Sequence, residues 1–156
     1  KANPESELPI LTIAGGRGGL DKKLVSRIEL LESKKLVTWL GYCNTDKLKE
    51  LYKSSSVLLF PSLHEGFGFP ILEAMASNLP VITTDRGAMK EVAGGAAMLV
   101  DPDSADSIAQ AIEKLYFDRV LAEKITKLGA IRCKELNWHK TATKTLEIYK
   151  RILTLQ

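Results

Sequence analysis

Cysteine and histidine are scarce, with two of each in 156 residues. Cys43 and Cys133 lie far apart and form none of the close pairs that hold zinc, and His64 and His139 do not complete a ligand set. A protein-held metal is therefore not expected, and both cysteines read as free thiols in a reducing compartment. Long apolar runs are missing too: nothing approaches the ~20 residues that cross a bilayer, and the N-terminus lacks a signal-peptide pattern. Neither sign of charge dominates. Basic residues number 22 and acidic ones 19, and a net +3 is too small to draw the chain to nucleic acid. The lysines are scattered through expected helices, where they make solvated faces. No Gly-x-Ser-x-Gly elbow surrounds Ser62, which argues against hydrolase chemistry. Asp85 and Asp101 follow strands, but a phosphoryl receiver would carry an acidic pair after its first strand, where this chain has glycines. There is no internal repeat and no low-complexity linker.

What remains is an ordinary soluble composition, 45% hydrophobic and 26% charged, in a length that fits one domain. Lys1 to Leu8 reads as a frayed entry. The β-branched run Pro9–Ala14 predicts a buried strand, and Gly15–Gly19 a loop, because that density of glycine destabilises regular structure. Asp21 can cap a helix carrying Leu24, Val25, Ile28 and Leu31 at helical spacing. Strands follow at Leu36–Leu40, Val57–Phe60, Pro80–Thr84 and Ala96–Val100. A turn at Gly41–Asn44 and a short helix striped by Leu48, Leu51 and Tyr52 fall between the first two. Helices are expected from Asp103 or Ser104, from Asp118 to Leu136, and from near Trp138, where His139 reads as structural. Trp138, Tyr149 and their apolar neighbours form a stripe on the last helix. Short apolar strands alternating with amphipathic helices predict an α/β domain, a Rossmann-like parallel sheet covered on both faces. In such sheets ligands lie beyond the carboxyl ends of the strands.

One stretch at such an end carries chemistry: Pro61-Ser62-Leu63-His64-Glu65-Gly66-Phe67-Gly68-Phe69-Pro70-Ile71-Leu72-Glu73-Ala74-Met75-Ala76. Pro70 suits the first turn of a helix, where its missing N–H costs nothing. Gly66 and Gly68 let the backbone turn tightly and approach a ligand. Free N–H groups at that helix start suit a diphosphate. Glu73, near the same start, can accept two hydrogen bonds from a vicinal diol such as a ribose presents. Glu65, back in the loop, can reach a sugar hydroxyl or stabilise positive charge at an anomeric carbon. The plainer alternative stays open: Glu73 favours the helix dipole, and Glu65 is a solvated loop carboxylate. His64, within the stretch, borders the site, either as a sugar or phosphate contact or as an exposed loop histidine.

Nearly the whole chain resembles the C-terminal domain of a family 4 nucleotide-sugar glycosyltransferase, the retaining class built from two Rossmann-like domains in the GT-B fold. The motifs are Glu65-x7-Glu73, Asn78-Leu79-Pro80-Val81-Ile82, Glu91-Val92-Ala93-Gly94 and Leu99-Val100-Asp101-Pro102. Leu11-Thr12-Ile13-Ala14-Gly15 and Trp138 agree as well. The resemblance implies that Glu73 holds the donor ribose hydroxyls and that Glu65 either contacts the transferred sugar or sits beside the reacting centre. It places Gly66, Phe67, Gly68 and Phe69 against sugar and diphosphate. It sets Gly41-Tyr42-Cys43 where main chain meets the nucleobase. Gly16 and Arg17 belong to the glycine loop of the same cleft, with Arg17 either on phosphate or solvated. The implied donor is GDP-mannose first and a UDP-sugar second, and no cofactor or metal is needed. The motifs look closest to mannosyl- or rhamnosyl-type transferases of polysaccharide assembly. The implied location is cytoplasmic, or the inner face of the membrane for the full-length protein.

The family's opening strand and its diphosphate-clamping Arg and Lys would fall before Lys1, and the N-terminal acceptor domain is not in the chain. The expectation is a donor-binding half, excised or one part of a split enzyme, inactive alone. A non-catalytic nucleotide-binding or regulatory module is the alternative. A phosphorylase would show a pyridoxal-phosphate lysine, and none can be placed.

Overall fold

The structure is a computed structural model that describes residues 9–154; the frayed entry expected over Lys1–Leu8 lies outside them. In chain order the elements are β1 (Leu11–Ala14), α1 (Lys22–Ser33), β2 (Val37–Gly41), α2 (Thr45–Ser54), β3 (Leu58–Phe60) and α3 (Phe69–Ala76), then β4 (Val81–Thr84), α4 (Gly87–Ala93), β5 (Met98–Val100), α5 (Ala105–Phe117), α6 (Arg119–Glu135) and α7 (Trp138–Leu153). Two compact units divide between Glu50 and Leu51, within α2.

In the first unit β1 and β2 pair in parallel, Leu11 opposite Val37 and Ile13 opposite Trp39. A register shift after Ile13 then sets Ala14 opposite Gly41. Asp21 caps α1 as expected, its carboxylate accepting from the Leu24 N–H at 2.7 Å. The expectation of a buried first strand is corrected: Leu11 is 45% exposed and Ile10 60%. Strand β1 has a ladder partner on one side alone among the described residues, and α1 packs chiefly on β2.

The second unit is denser. Strands β3, β4 and β5 form a parallel sheet with β4 in the middle, and every residue of β4 is buried. Alternation along the strands divides the side chains between two cores. Val81 joins Ile71, Met75, Met89 and Val92 from α3 and α4, with Leu58 and Phe60 packed against them. Its neighbour Ile82 joins Val100, Ala111, Leu115 and Ile125, with Val57 and Leu59 alongside. Helices therefore cover both faces of this sheet, as the periodicity predicts. Ser104 caps α5 through a hydrogen bond from Ser107 N, and Asp118 closes α5 and opens α6 by accepting from Leu121 N.

One helix, α4, was not expected between the strands at Pro80–Thr84 and Ala96–Val100. Its seven residues start after Arg86 without a side-chain cap and stop at Gly94 in the left-handed region. Arg132 of α6 caps its far end, donating to the carbonyls of Val92 at 3.0 Å and Glu91 at 2.6 Å. Among the described residues no helix is long and apolar enough to cross a membrane.

Candidate glycosyl-donor site

Between β3 and α3 the chain runs through residues 61–68, past the carboxyl end of the sheet. Two buried threonines of β4 fix its beginning. The Thr83 hydroxyl donates to Phe60 O at 2.9 Å, and that of Thr84 to Ser62 O at 3.1 Å. Beyond Ser62 the backbone is exposed until Gly68, which is buried. Gly68 is the N-cap of α3 with φ 95° and ψ 47°, and a Cβ there would meet Ile71 Cδ1 at 3.3 Å. Only glycine takes that conformation without cost. Helix α3 begins at Phe69, one residue before the expected Pro70, so that Pro70 sits within the first turn.

Two details of the predicted site are corrected. Glu73 is the fifth residue of α3, and the first turn holds no acid, so the dipole alternative for Glu73 loses its basis: that effect fades beyond the first turn. The helix start is also poorer in free donors than expected. Pro70 has no N–H, and that of Ile71 bonds to Gly68 O at 3.0 Å.

What holds Glu73 is a residue not singled out as a site residue. The phenol of Tyr52, in the last turn of α2, donates to Glu73 Oε2 at 2.8 Å. Its ring packs against the core around Ile71 and Met75. Burial first, then the hydrogen bond and charge of Glu73, push the Tyr52 phenol well above its ordinary value. Behind Glu73, α3 is pinned by α6. A Cβ on Gly129 would lie 2.9 Å from Met75 Cγ, and the Cys133 thiol donates to Leu72 O at 3.3 Å. Burial raises the Cys133 pKa, which fits an inert thiol, and Cys43 is also free.

Glu65 is placed differently. It and His64 are exposed, and the Ser62 hydroxyl lies 3.2 Å from Glu65 Oε1 and 3.3 Å from His64 O. Ser62, set aside as a nucleophile, is thus an orienting group. Phe67 and Phe69 lie ring to ring, 4.9 Å between centroids, and Phe69 stacks on Trp138 at 6.3 Å and 29°. The apolar stripe of α7 stays outside the core: no α7 residue is buried, and Trp138 is 76% exposed.

In the first unit, the Gly15 N–H bonds to Gly41 O at 2.8 Å, which sets the glycine loop beside the turn after β2. Gly16 is exposed, Tyr42 is 89% exposed, and Cys43 Sγ lies 3.7 Å from Gly41 O. Arg17 was read as a phosphate contact or a solvated arginine. The structure gives it partners: it lies 3.5 Å from Glu32 Oε2 and 4.9 Å from the centroid of Trp39. Trp39 itself donates its indole N–H to Gly15 O at 2.7 Å and its main-chain N–H to Glu32 at 2.9 Å. A depression of about 640 Å³ lies beyond β4 and β5, lined by Asp85, Arg86, Leu99, Val100 and Asp101. Arg86 there is tied to Asp103 at 2.8 Å and Asp101 at 3.3 Å. None of the predicted site residues lines it.

Comparison with known proteins converges on one family. Residues 3–132 match the family described as glycosyl transferases group 1. The O-antigen chain mannosyltransferase B of Escherichia coli is 33% identical over 140 residues, covering 90% of this chain and 37% of that protein. The O-antigen chain mannosyltransferase RfbU of Salmonella typhimurium is 40% identical over 105 residues, covering 67% and 30%. Among solved structures, the sucrose-phosphate synthase of Thermosynechococcus elongatus superposes with a TM-score of 0.74 at 28% identity, over 94% of this chain and 39% of that one. The chain thus spans 30–39% of the length of these relatives, and its fold is that of the GT-B glycosyltransferases. By sequence and by fold, the chain belongs to the group 1 glycosyl transferases.

Proposed function

We propose that this chain supplies the donor-binding half of a retaining glycosyltransferase. The transferred group is a hexosyl, mannosyl first, moved from a nucleoside diphosphate sugar to a glycan or lipid-linked acceptor. GDP-mannose is the first donor and a UDP-sugar the second; the mannosyltransferase names of its relatives support the mannosyl group. The acceptor-binding half lies outside this chain, and the protein works in the cytoplasm or at the inner face of a membrane. The observation that carries the proposal is the exposed Glu73 carboxylate, held by Tyr52 at 2.8 Å just past a left-handed glycine turn.

In this reading the ribose diol donates to Glu73, a carboxylate that can accept about four hydrogen bonds. The diphosphate meets backbone N–H groups of Gly66, Phe67, Gly68 and Phe69, since Pro70 and Ile71 contribute none. The bond from the anomeric carbon to the diphosphate breaks and its electron pair leaves with the phosphate oxygen, while the acceptor hydroxyl oxygen bonds on the same face and its proton passes to that departing phosphate oxygen. Glu65 stabilises the positive charge that develops on the sugar, and His64 borders that sugar.

The test is Glu65→Ala in a protein that carries the acceptor-binding half. Turnover should fall by about 10²–10³, the scale of losing one electrostatic stabiliser of a transition state, while nucleoside diphosphate affinity holds. Collapse of affinity with turnover retained at saturating donor would reverse the roles given to the two glutamates.

A further inference from the structure

We propose that Tyr52 is the positioning residue of the donor site: its hydroxyl fixes the Glu73 carboxylate in the rotamer that receives the ribose diol. The inference rests on the reading of Glu73 given above and extends it to a residue on a different element, 21 positions earlier in the chain.

Geometry carries it. Tyr52 lies in the last turn of α2, and its ring is anchored by the same core that holds α3. A half-buried phenol needs a hydrogen-bond partner, because leaving it unmade costs the desolvation of the hydroxyl. The partner it finds is Glu73 Oε2 at 2.8 Å. Glu73 is otherwise an exposed side chain on a helix surface, and such a side chain has many rotamers that a ligand would have to freeze. A rigid donor anchored in the core removes that cost before the ligand arrives.

The stoichiometry also fits. A carboxylate offers about four lone-pair positions, two on each oxygen. Tyr52 occupies one on Oε2. Among the described residues Oε1 has no partner and Oε2 keeps one position, enough for both hydroxyls of a vicinal diol. A lysine or arginine in place of Tyr52 would neutralise the carboxylate and compete with the diol for it. The phenol orients without doing so, and since burial and Glu73 both oppose its ionisation, it remains a donor throughout the physiological range.

Tyr52→Phe keeps the ring in the core and removes only the hydroxyl. The experiment is calorimetry on the 156-residue chain, wild type and Tyr52→Phe, with GDP and with 2′,3′-dideoxy-GDP. The wild type should prefer GDP. The substitution should weaken GDP about five- to tenfold, the scale of freezing one rotamer-rich side chain on binding, and leave the dideoxy compound within about twofold. Adding Tyr52→Phe to Glu73→Ala should cost nothing further, because the tyrosine acts through the glutamate. Equal weakening of both nucleotides would show a structural role and overturn the inference. Wild-type preference for GDP that survives Tyr52→Phe intact would overturn it while leaving Glu73 on the ribose. A wild type that binds both nucleotides alike, or neither, would overturn the ribose reading itself and this inference with it. A ligand-free check is NMR titration of ζ-¹³C tyrosine, assigned with Tyr52→Phe: Glu73→Gln should lower the Tyr52 midpoint, and an unmoved midpoint would deny the contact.

Discussion

Helix α3 and the loop before it carry one glutamate each, and the two are held by opposite means. Glu73 stands on a helix locked from behind by Gly129 and Cys133 of α6 and from the side by Tyr52. Ile71, Ala74 and Met75 of that helix are fully or nearly fully buried. Glu65 stands on an exposed segment whose recorded tethers are short polar ones, the Ser62 hydroxyl and the threonines at the root of the loop. A group that must present the same geometry to every donor belongs on a rigid element. A group that meets charge only as a bond breaks sits in the loop beside the sugar, aimed there by a short polar tether. The division of the two glutamates between helix and loop matches the division of labour proposed for them.

The contrast can be broken most forcefully from the packed side. Gly129→Val places a branched side chain where Met75 already lies and should lower unfolding free energy by about 1–3 kcal/mol, the usual range for overpacking. It should also weaken nucleoside diphosphate binding, since α3 moves with Met75. Urea unfolding and calorimetry together read both effects, and stability lost with affinity intact would mean that α3 need not be rigid. Gly68→Ala acts at the junction. With φ at 95° a side chain is strained, and the expected cost is about 1–2 kcal/mol, seen as a lower urea midpoint. The smallest effect on stability belongs to the loop. Ser62→Ala should change unfolding free energy by less than about 0.5 kcal/mol, yet lower turnover in a protein with both halves by freeing Glu65. Turnover equal to wild type would remove Ser62 from the site.

Much of this was legible because it is local. Asp21, Ser104 and Asp118 cap helices whose apolar residues recur at 3–4, and the strands are short runs of β-branched and aliphatic residues. The glutamate stretch was legible for the same reason: glycine, proline and both acids lie within a few turns of chain. What escaped the sequence depends on distant partners. Tyr52 fits a helical stripe as an aromatic, and its need for a polar partner was a signal, but nothing local points 21 residues onward to Glu73. Arg17 reads as a phosphate contact or a solvated arginine until Glu32 and Trp39 are brought beside it by the parallel pairing of β1 and β2. Helix α4 has no side-chain cap at its start, and the Arg132 that closes it comes from another helix. The burial of β1 was overestimated because composition reports how apolar a strand is, not whether anything covers it.

The central claim is that this chain binds the nucleoside diphosphate of a sugar donor through Glu73. The direct measurement is calorimetric titration of wild type and Glu73→Ala with the diphosphates of guanosine, uridine, adenosine and thymidine. The expected result is selective binding, guanosine first, weakened by roughly 1–3 kcal/mol in the variant, the scale of losing hydrogen bonds to a charged group. Binding that is unchanged by Glu73→Ala would contradict the claim.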